Sequence, residues 1–112
     1  MIASTDNDLT HLHANVCQAL ADPKRIQILY ALADRPYHVN LLAHDLNIPQ
    51  PTVSRHLRIL RQQSLVATER EGVGVIYRLT DQRIIQVLDT LRLLMVDAIA
   101  RKTAVLNGNH HA

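Results

Sequence analysis

Apolar positions recur at three- and four-residue intervals along most of the chain, switch once to strict alternation, and then return to the helical interval. Leu9, Leu12, Val16, Ala19 and Leu20 set the first stripe and predict a helix to about Ala21, preceded by a polar segment, residues 1–8, read as a flexible tail. Asp22-Pro23 then opens a second helix, because an Asp side chain accepts from orphan amides and Pro suits the first helical position. Ile26, Leu29, Tyr30 and Ala33 are its predicted buried stripe, and Arg35-Pro36 ends it. A third, short helix is expected to face Leu41, Leu42 and Leu46 inward. Asn47 favours a left-handed turn and Pro49 blocks continuation. Pro51 sits acceptably in the first turn of a fourth helix, where Val53, Leu57 and Leu60 share one side and Pro51, Arg55, Arg58 and Gln62 point the other way.

After Ser64 the period changes to two. Val66 and Thr68, then Val75, Tyr77 and Leu79, suit two strands around Gly72-Val73-Gly74. From Thr80 the helical interval returns with Ile84, Leu88, Leu91, Met95 and Ala98, widened by Ile85, Leu94, Val96 and Ile99. That helix is too apolar for one contact face and predicts a dimer interface. Residues 105–112 read as a flexible C-terminal tail, leaving one domain over 9–104. The expected class is mainly α with a small β-hairpin: five helices plus a two-stranded wing.

Composition agrees with this layout. The 112 residues contain no Trp or Phe and three Tyr, so the core must be aliphatic, which suits packed helices. A net charge of +2 says little by itself, but its distribution matters: from Leu46 to Thr68 there are three arginines and no acid. A local cationic patch on a near-neutral protein selects where a polyanion docks. The two short helices hinged at Asn47 to Pro49, the second with one buried and one cationic face, have the layout of a helix-turn-helix that reads double-stranded DNA. Thr52 and Ser54 add hydroxyls near the start of that helix, able to meet phosphate or a base edge. With Cys17 the single cysteine, no intrachain disulfide is available. No charged-then-apolar leader and no run of 18 apolar residues is found, so a cytoplasmic protein without a membrane partner is expected.

The stretches ALADPKRIQILYAL, PQPTVSRHLRILRQQSLV and REGVGVIYRL, in this order, resemble the ArsR/SmtB family of winged-helix repressors over roughly residues 9 to 100. The resemblance implies a homodimer paired through first and last helices, reading helices in successive major grooves, and release from the operator by an inducer. Carried over by position, it implies DNA contacts at Gln50, Thr52, Ser54, Arg55 and Arg58. Arg can pair bidentately with guanine and Gln with adenine. Two departures stand out. Relatives often carry an arginine just after the wing glycine, where this chain has Val73, so Arg70 becomes the substitute backbone contact. They also often begin the reading helix with a serine cap, where this chain has Pro49.

The ligand sets of the family's metal sensors are mostly missing. Its Cys-x-Cys pair would fall on Leu42 and His44, and no histidine lies between Asp81 and Asn109 to serve a last-helix site. A different set remains: His11, His13 and Cys17 on the first helix with His110 and His111 at the end of the chain, which the family dimer would bring together for a divalent or soft ion. The alternative is surface histidines and a cysteine in the dimer core. Redox sensing has only Cys17 to use. An alternative function is a winged-helix protein-interaction module that uses the same cationic helix. Enzyme chemistry has little support, since Ser54 and His56, two apart on a helix, diverge by about 200° and no acid is placed to orient the imidazole.

Overall fold

The computed structural model describes the backbone of residues 2–110 and the side chains of residues 7–106. The described residues form five helices and three strands: α1 Ile2–Ala19, α2 Pro23–Asp34, β1 Tyr37–His38, α3 Val39–Leu46, α4 Gln50–Gln62, β2 Val66–Glu71, β3 Gly74–Leu79 and α5 Arg83–His110. The elements up to Gln82 form one packed unit, and α5 is a second.

Local chemistry sets most of the boundaries. The Asp22 side chain caps α2 by accepting from the backbone N–H of Lys24 and Arg25 at 2.8 and 3.2 Å. The helices of the α3–α4 pair close in the same manner. Asn47 is left-handed at φ 54°, with its N–H on His44 and that of Ile48 on Ala43. Ser64 is left-handed at φ 60°, with its N–H on Arg61 and that of Leu65 on Leu60. Both are Schellman closures, which satisfy the last carbonyls and turn the chain sharply. Asn tolerates that conformation better than Ser, so Ser64 carries the greater strain.

The core of the first unit is aliphatic. Ile28, Leu29 and Leu32 of α2 meet Leu42 of α3 and Val53, Leu57 and Leu60 of α4, with Val66 and Leu79 closing the sheet side. Leu41 is 41% exposed, contrary to its expected inward orientation, and Ala43 is buried in its place. An eight-residue helix turns only a narrow face to its neighbours, and here that face runs through Leu42 and Ala43. On α2 the buried line is Ile28, Leu29 and Leu32, while Ile26, Tyr30 and Ala33 are half-buried.

The hairpin pairs from Val66↔Leu79 to Glu71↔Gly74, with Gly72 (φ +63°) and Val73 as its two-residue loop. Gly at the first loop position supplies the positive φ that such tight hairpins need. The predicted two strands gain a third, since β1 pairs with β3 through Tyr37↔Tyr77 and His38↔Ile76 in the order β1-β3-β2. Here His38 Nδ1 donates to the Val75 carbonyl at 3.1 Å, and a Cβ at Gly74 would stand 2.9 Å from His38 Cε1. Two paired residues carry no periodicity, so this strand left no pattern to read.

The chain ends differ from the expected tails over 1–8 and 105–112: α1 begins at Ile2 and α5 continues to His110. Once a helix is nucleated, each poor former costs only tenths of a kcal/mol and one Gly about 1 kcal/mol. The polar residues before Leu9 and the single Gly108 therefore do not halt it.

Candidate nucleic-acid interface

Helix α4 divides cleanly. Val53, His56, Leu57 and Leu60 are buried, whereas Gln50, Pro51, Arg55, Arg58, Arg61 and Gln62 are exposed, and Thr52 and Ser54 lie half-buried between them. Among the described residues none of Arg55, Arg58 and Arg61 has an acidic partner within salt-bridge reach. Three uncompensated guanidinium groups therefore stand on the solvent side of a helix whose other side is core.

The N-terminal turn is polar. Gln50 Nε2 donates to Ser54 Oγ at 2.9 Å, one turn on, which leaves the serine proton and the Gln50 carbonyl for an outside partner. No side chain caps the helix at Pro49; the N–H groups of Thr52 and Val53 both donate to the Pro49 carbonyl, at 3.0 and 3.1 Å, and Pro51 has none, so Gln50 holds the remaining N–H of the first turn, at the positive end of the helix dipole. The serine cap that Pro49 replaces has not passed to another side chain.

The hairpin contributes little charge. Arg78 Nε holds Glu69 at 2.6 Å, and Arg70 on β2 lies exposed between Glu69 and Glu71. At the tip, Val73 is fully exposed. Of the two elements, α4 carries the larger unpaired cationic surface.

His56 takes a place on the buried side of α4. It is 4% exposed, and its Nδ1 lies 3.3 Å from Arg25 Nη1 on α2. Burial, Arg25, Arg55 and Lys24 push its pKa below the ordinary 6.5 against the opposing pull of Asp22. Asp22 is shifted the same way in number and the opposite way in charge: burial works to raise its pKa, but the amides of Arg25 and Lys24 and the charges of His56 and Arg25 hold it below 3.8. The part played by Arg25 escaped the sequence pattern. Its signal was there in the spacing, because residues 25, 28, 29 and 32 form one helical stripe and Arg25 is its single cation.

This geometry, a buried-and-cationic helix after a sharp turn and before a hairpin, is matched by known proteins. A family model described as bacterial regulatory protein, arsR family, fits residues 22–68. The HTH-type transcriptional regulator KmtR of Mycobacterium tuberculosis is 40% identical over 93 residues, covering 83% of this chain and 66% of that protein. The chain belongs to the ArsR family. The HTH-type transcriptional repressor SmtB of the same organism is 42% identical over 83 residues, 73% of this chain and 62% of the repressor. This chain thus spans less than two thirds of the length of these two relatives, 66% and 62%. Among solved structures, the homodimeric winged helix-turn-helix DNA-binding domain of a possible ArsR-family regulator from Mycobacterium bovis superposes with a TM-score of 0.73 at 27% identity, covering 81% of this chain and 84% of that domain. The chain shares with that domain the winged helix-turn-helix fold, in which α4 is the second helix of the helix-turn-helix pair.

Of the residues singled out as metal donors, three lie on α1. His11, His13 and Cys17 are exposed on α1, with His13 and Cys17 one turn apart. His111 and the side chain of His110 lie outside the described residues. Among the described residues no three His, Cys, Asp or Glu side chains cluster as an ion would require. Nor is any described helix long and apolar enough to cross a membrane.

Proposed function

We propose that the chain is a homodimeric, sequence-specific transcriptional repressor that binds a double-stranded operator through α4 and leaves it on receiving a signal. The contacts are assigned to Gln50, Thr52, Ser54, Arg55 and Arg58, with Arg70 reaching backbone phosphate from the hairpin. The observation that carries this reading is the exposed, unpaired cationic face of α4, backed by the core and fronted by the Gln50–Ser54 pair. Guanidinium groups at this position can hydrogen-bond guanine edges bidentately, and the positive end of the helix dipole suits a phosphate. A homodimer presents two such helices to two half-sites, and the large exposed side chains of α5, including Leu91, Leu94, Met95 and Ile99, supply the apolar surface that a second copy would cover. A regulator of this kind works in the bacterial cytoplasm, beside the chromosome.

A metal ion as signal would find an imidazole and a thiol one turn apart at His13 and Cys17, with His11 nearby. Two or three donors in one protomer leave a zinc shell incomplete. The remaining ligands would have to come from elsewhere, for which His110 and His111 are the candidates.

Selection of duplexes from a random-sequence pool tests the reading. The wild-type chain should enrich a two-fold symmetric sequence, with affinity that falls steeply as salt rises. Arg55→Ala should weaken binding to that duplex by about 1–3 kcal/mol. Equal enrichment by Arg55→Ala would remove α4 as the reader.

A further inference from the structure

Arg25 stands where the buried stripe of α2 calls for an apolar side chain, and it uses the position to join three helices. Its Nε donates to the Ala19 carbonyl at 2.5 Å and its Nη2 to the Gln18 carbonyl at 3.3 Å, both at the C-terminal end of α1. Its Nη1 reaches His56 Nδ1 on α4 at 3.3 Å. A guanidinium can only donate. Nδ1 must therefore be the acceptor, which places the imidazole proton on Nε2, the atom facing Asp22 Oδ1 at 4.0 Å. Asp22 is itself fixed by the first amides of α2. A cleft lined by Asn15, Gln18, Ile59 and Gln63 lies beside Arg25, between the end of α1 and the C-terminal half of α4.

We infer that Arg25 and His56 are positioning residues for DNA reading: their hydrogen bond is the joint that sets the rotation of α4 against α1 and α2, and so the aim of Arg55 and Arg58. This rests on the DNA-reading function proposed above. Aliphatic contacts beneath α4 are non-directional and let the helix roll slightly at small cost. The guanidinium–imidazole bond is directional and weakens steeply when bent. His56 is the one buried polar side chain among the described core residues and adjoins Arg55 in sequence, so a roll that breaks this bond also displaces the exposed arginine. Protonating His56 would turn Nδ1 into a donor facing a donor, with Arg25, Lys24 and Arg55 as like charges and only Asp22 opposing them.

The experiment compares wild type, Arg25→Lys, His56→Leu and His56→Gln, each as the full chain. Affinity is measured for the duplex selected by the wild type and for an unrelated duplex, alongside thermal melting. Arg25→Lys keeps the charge but lacks the fork that serves three acceptors; it should lose roughly tenfold in affinity for the selected duplex, with little change for the unrelated one. His56→Leu should behave alike, whereas His56→Gln, whose amide can accept from Arg25 and donate toward Asp22, should restore selectivity. Wild-type selectivity should decline as pH falls through the folded value of His56, which lies below the ordinary 6.5, and that of His56→Gln should not. Wild-type selectivity in folded Arg25→Lys and His56→Leu would overturn the joint while leaving the DNA reading intact. A wild-type chain that selects no duplex would overturn the DNA reading and the joint with it. Should Arg25→Lys fail to fold, the His56→Leu and His56→Gln pair decides.

Discussion

Helices α4 and α5 both leave a broad surface uncovered, but the surfaces are opposite in kind. On α4 the uncovered side is Gln50, Arg55, Arg58 and Arg61, and every large aliphatic except the half-buried Ile59 is inside. On α5 Leu91, Leu93, Leu94, Met95, Val96 and Ile99, spread all round the helix, are each at least 46% exposed. Water solvates a guanidinium well and a leucine badly, so the first surface can stand open and the second demands a protein partner. The first surface suits a polyanion and the second another apolar surface. The two should fail independently and under different conditions.

The largest effect is expected beneath α4. Leu57→Ala removes a fully buried side chain from the center of the first unit and should cost about 2–5 kcal/mol by chemical denaturation. If instead the stability of Leu57→Ala matched that of wild type, the two-sided description of α4 would be broken. On α5, Leu94→Glu introduces a charge at a side chain that is 51% exposed in one protomer. Sedimentation should show dimers shifting to monomers by about tenfold or more in dissociation constant, since burying an unpaired carboxylate costs several kcal/mol. Monomer folding should change little. A dimer that tolerates Leu94→Glu would place the partner surface elsewhere.

The smallest effect sharpens the α4 side through pH. His56 has its folded pKa lowered by burial and by neighbouring cations, against Asp22. The unfolded chain therefore binds the proton more readily, and stability falls as pH drops below the ordinary 6.5, toward the lowered folded value. His56→Gln should remove this slope in thermal melts. The carboxylates act lower down. Asp22, as above, and Asp45, held below 3.8 by hydrogen bonds from Tyr37 and His44 and by Arg35, contribute stability that is present above 3.8 and lost as pH falls through their folded values. Melts of His56→Gln that keep the full slope near neutrality would assign it to another histidine.

Much of the first unit was legible because its signals are local. The Asp22 cap, the left-handed Asn47, the Val53, Leu57 and Leu60 stripe and the Gly72 loop each need only a few adjacent residues, and each is found where the pattern put it. The cationic face of α4 followed from the same spacing. Legibility failed where the deciding partner is distant in sequence. Leu41 looked inward by composition, but which side of so short a helix is covered depends on its neighbours. β1 exists only through its pairing with residues 76 and 77 of β3.

By itself, then, the sequence determined the order of the elements, the caps and turns between them, and which residues of α4 face water, because helical spacing and local hydrogen bonding are properties of short segments. Only the tertiary structure decided that Arg25 reaches α1 and α4 at once, that His56 is buried against Arg25, and that Gly74 makes room for the His38 ring. Those outcomes depend on atoms from segments up to 37 residues apart meeting at hydrogen-bond distance. No periodicity encodes such a meeting; it is set by how the aliphatic faces pack.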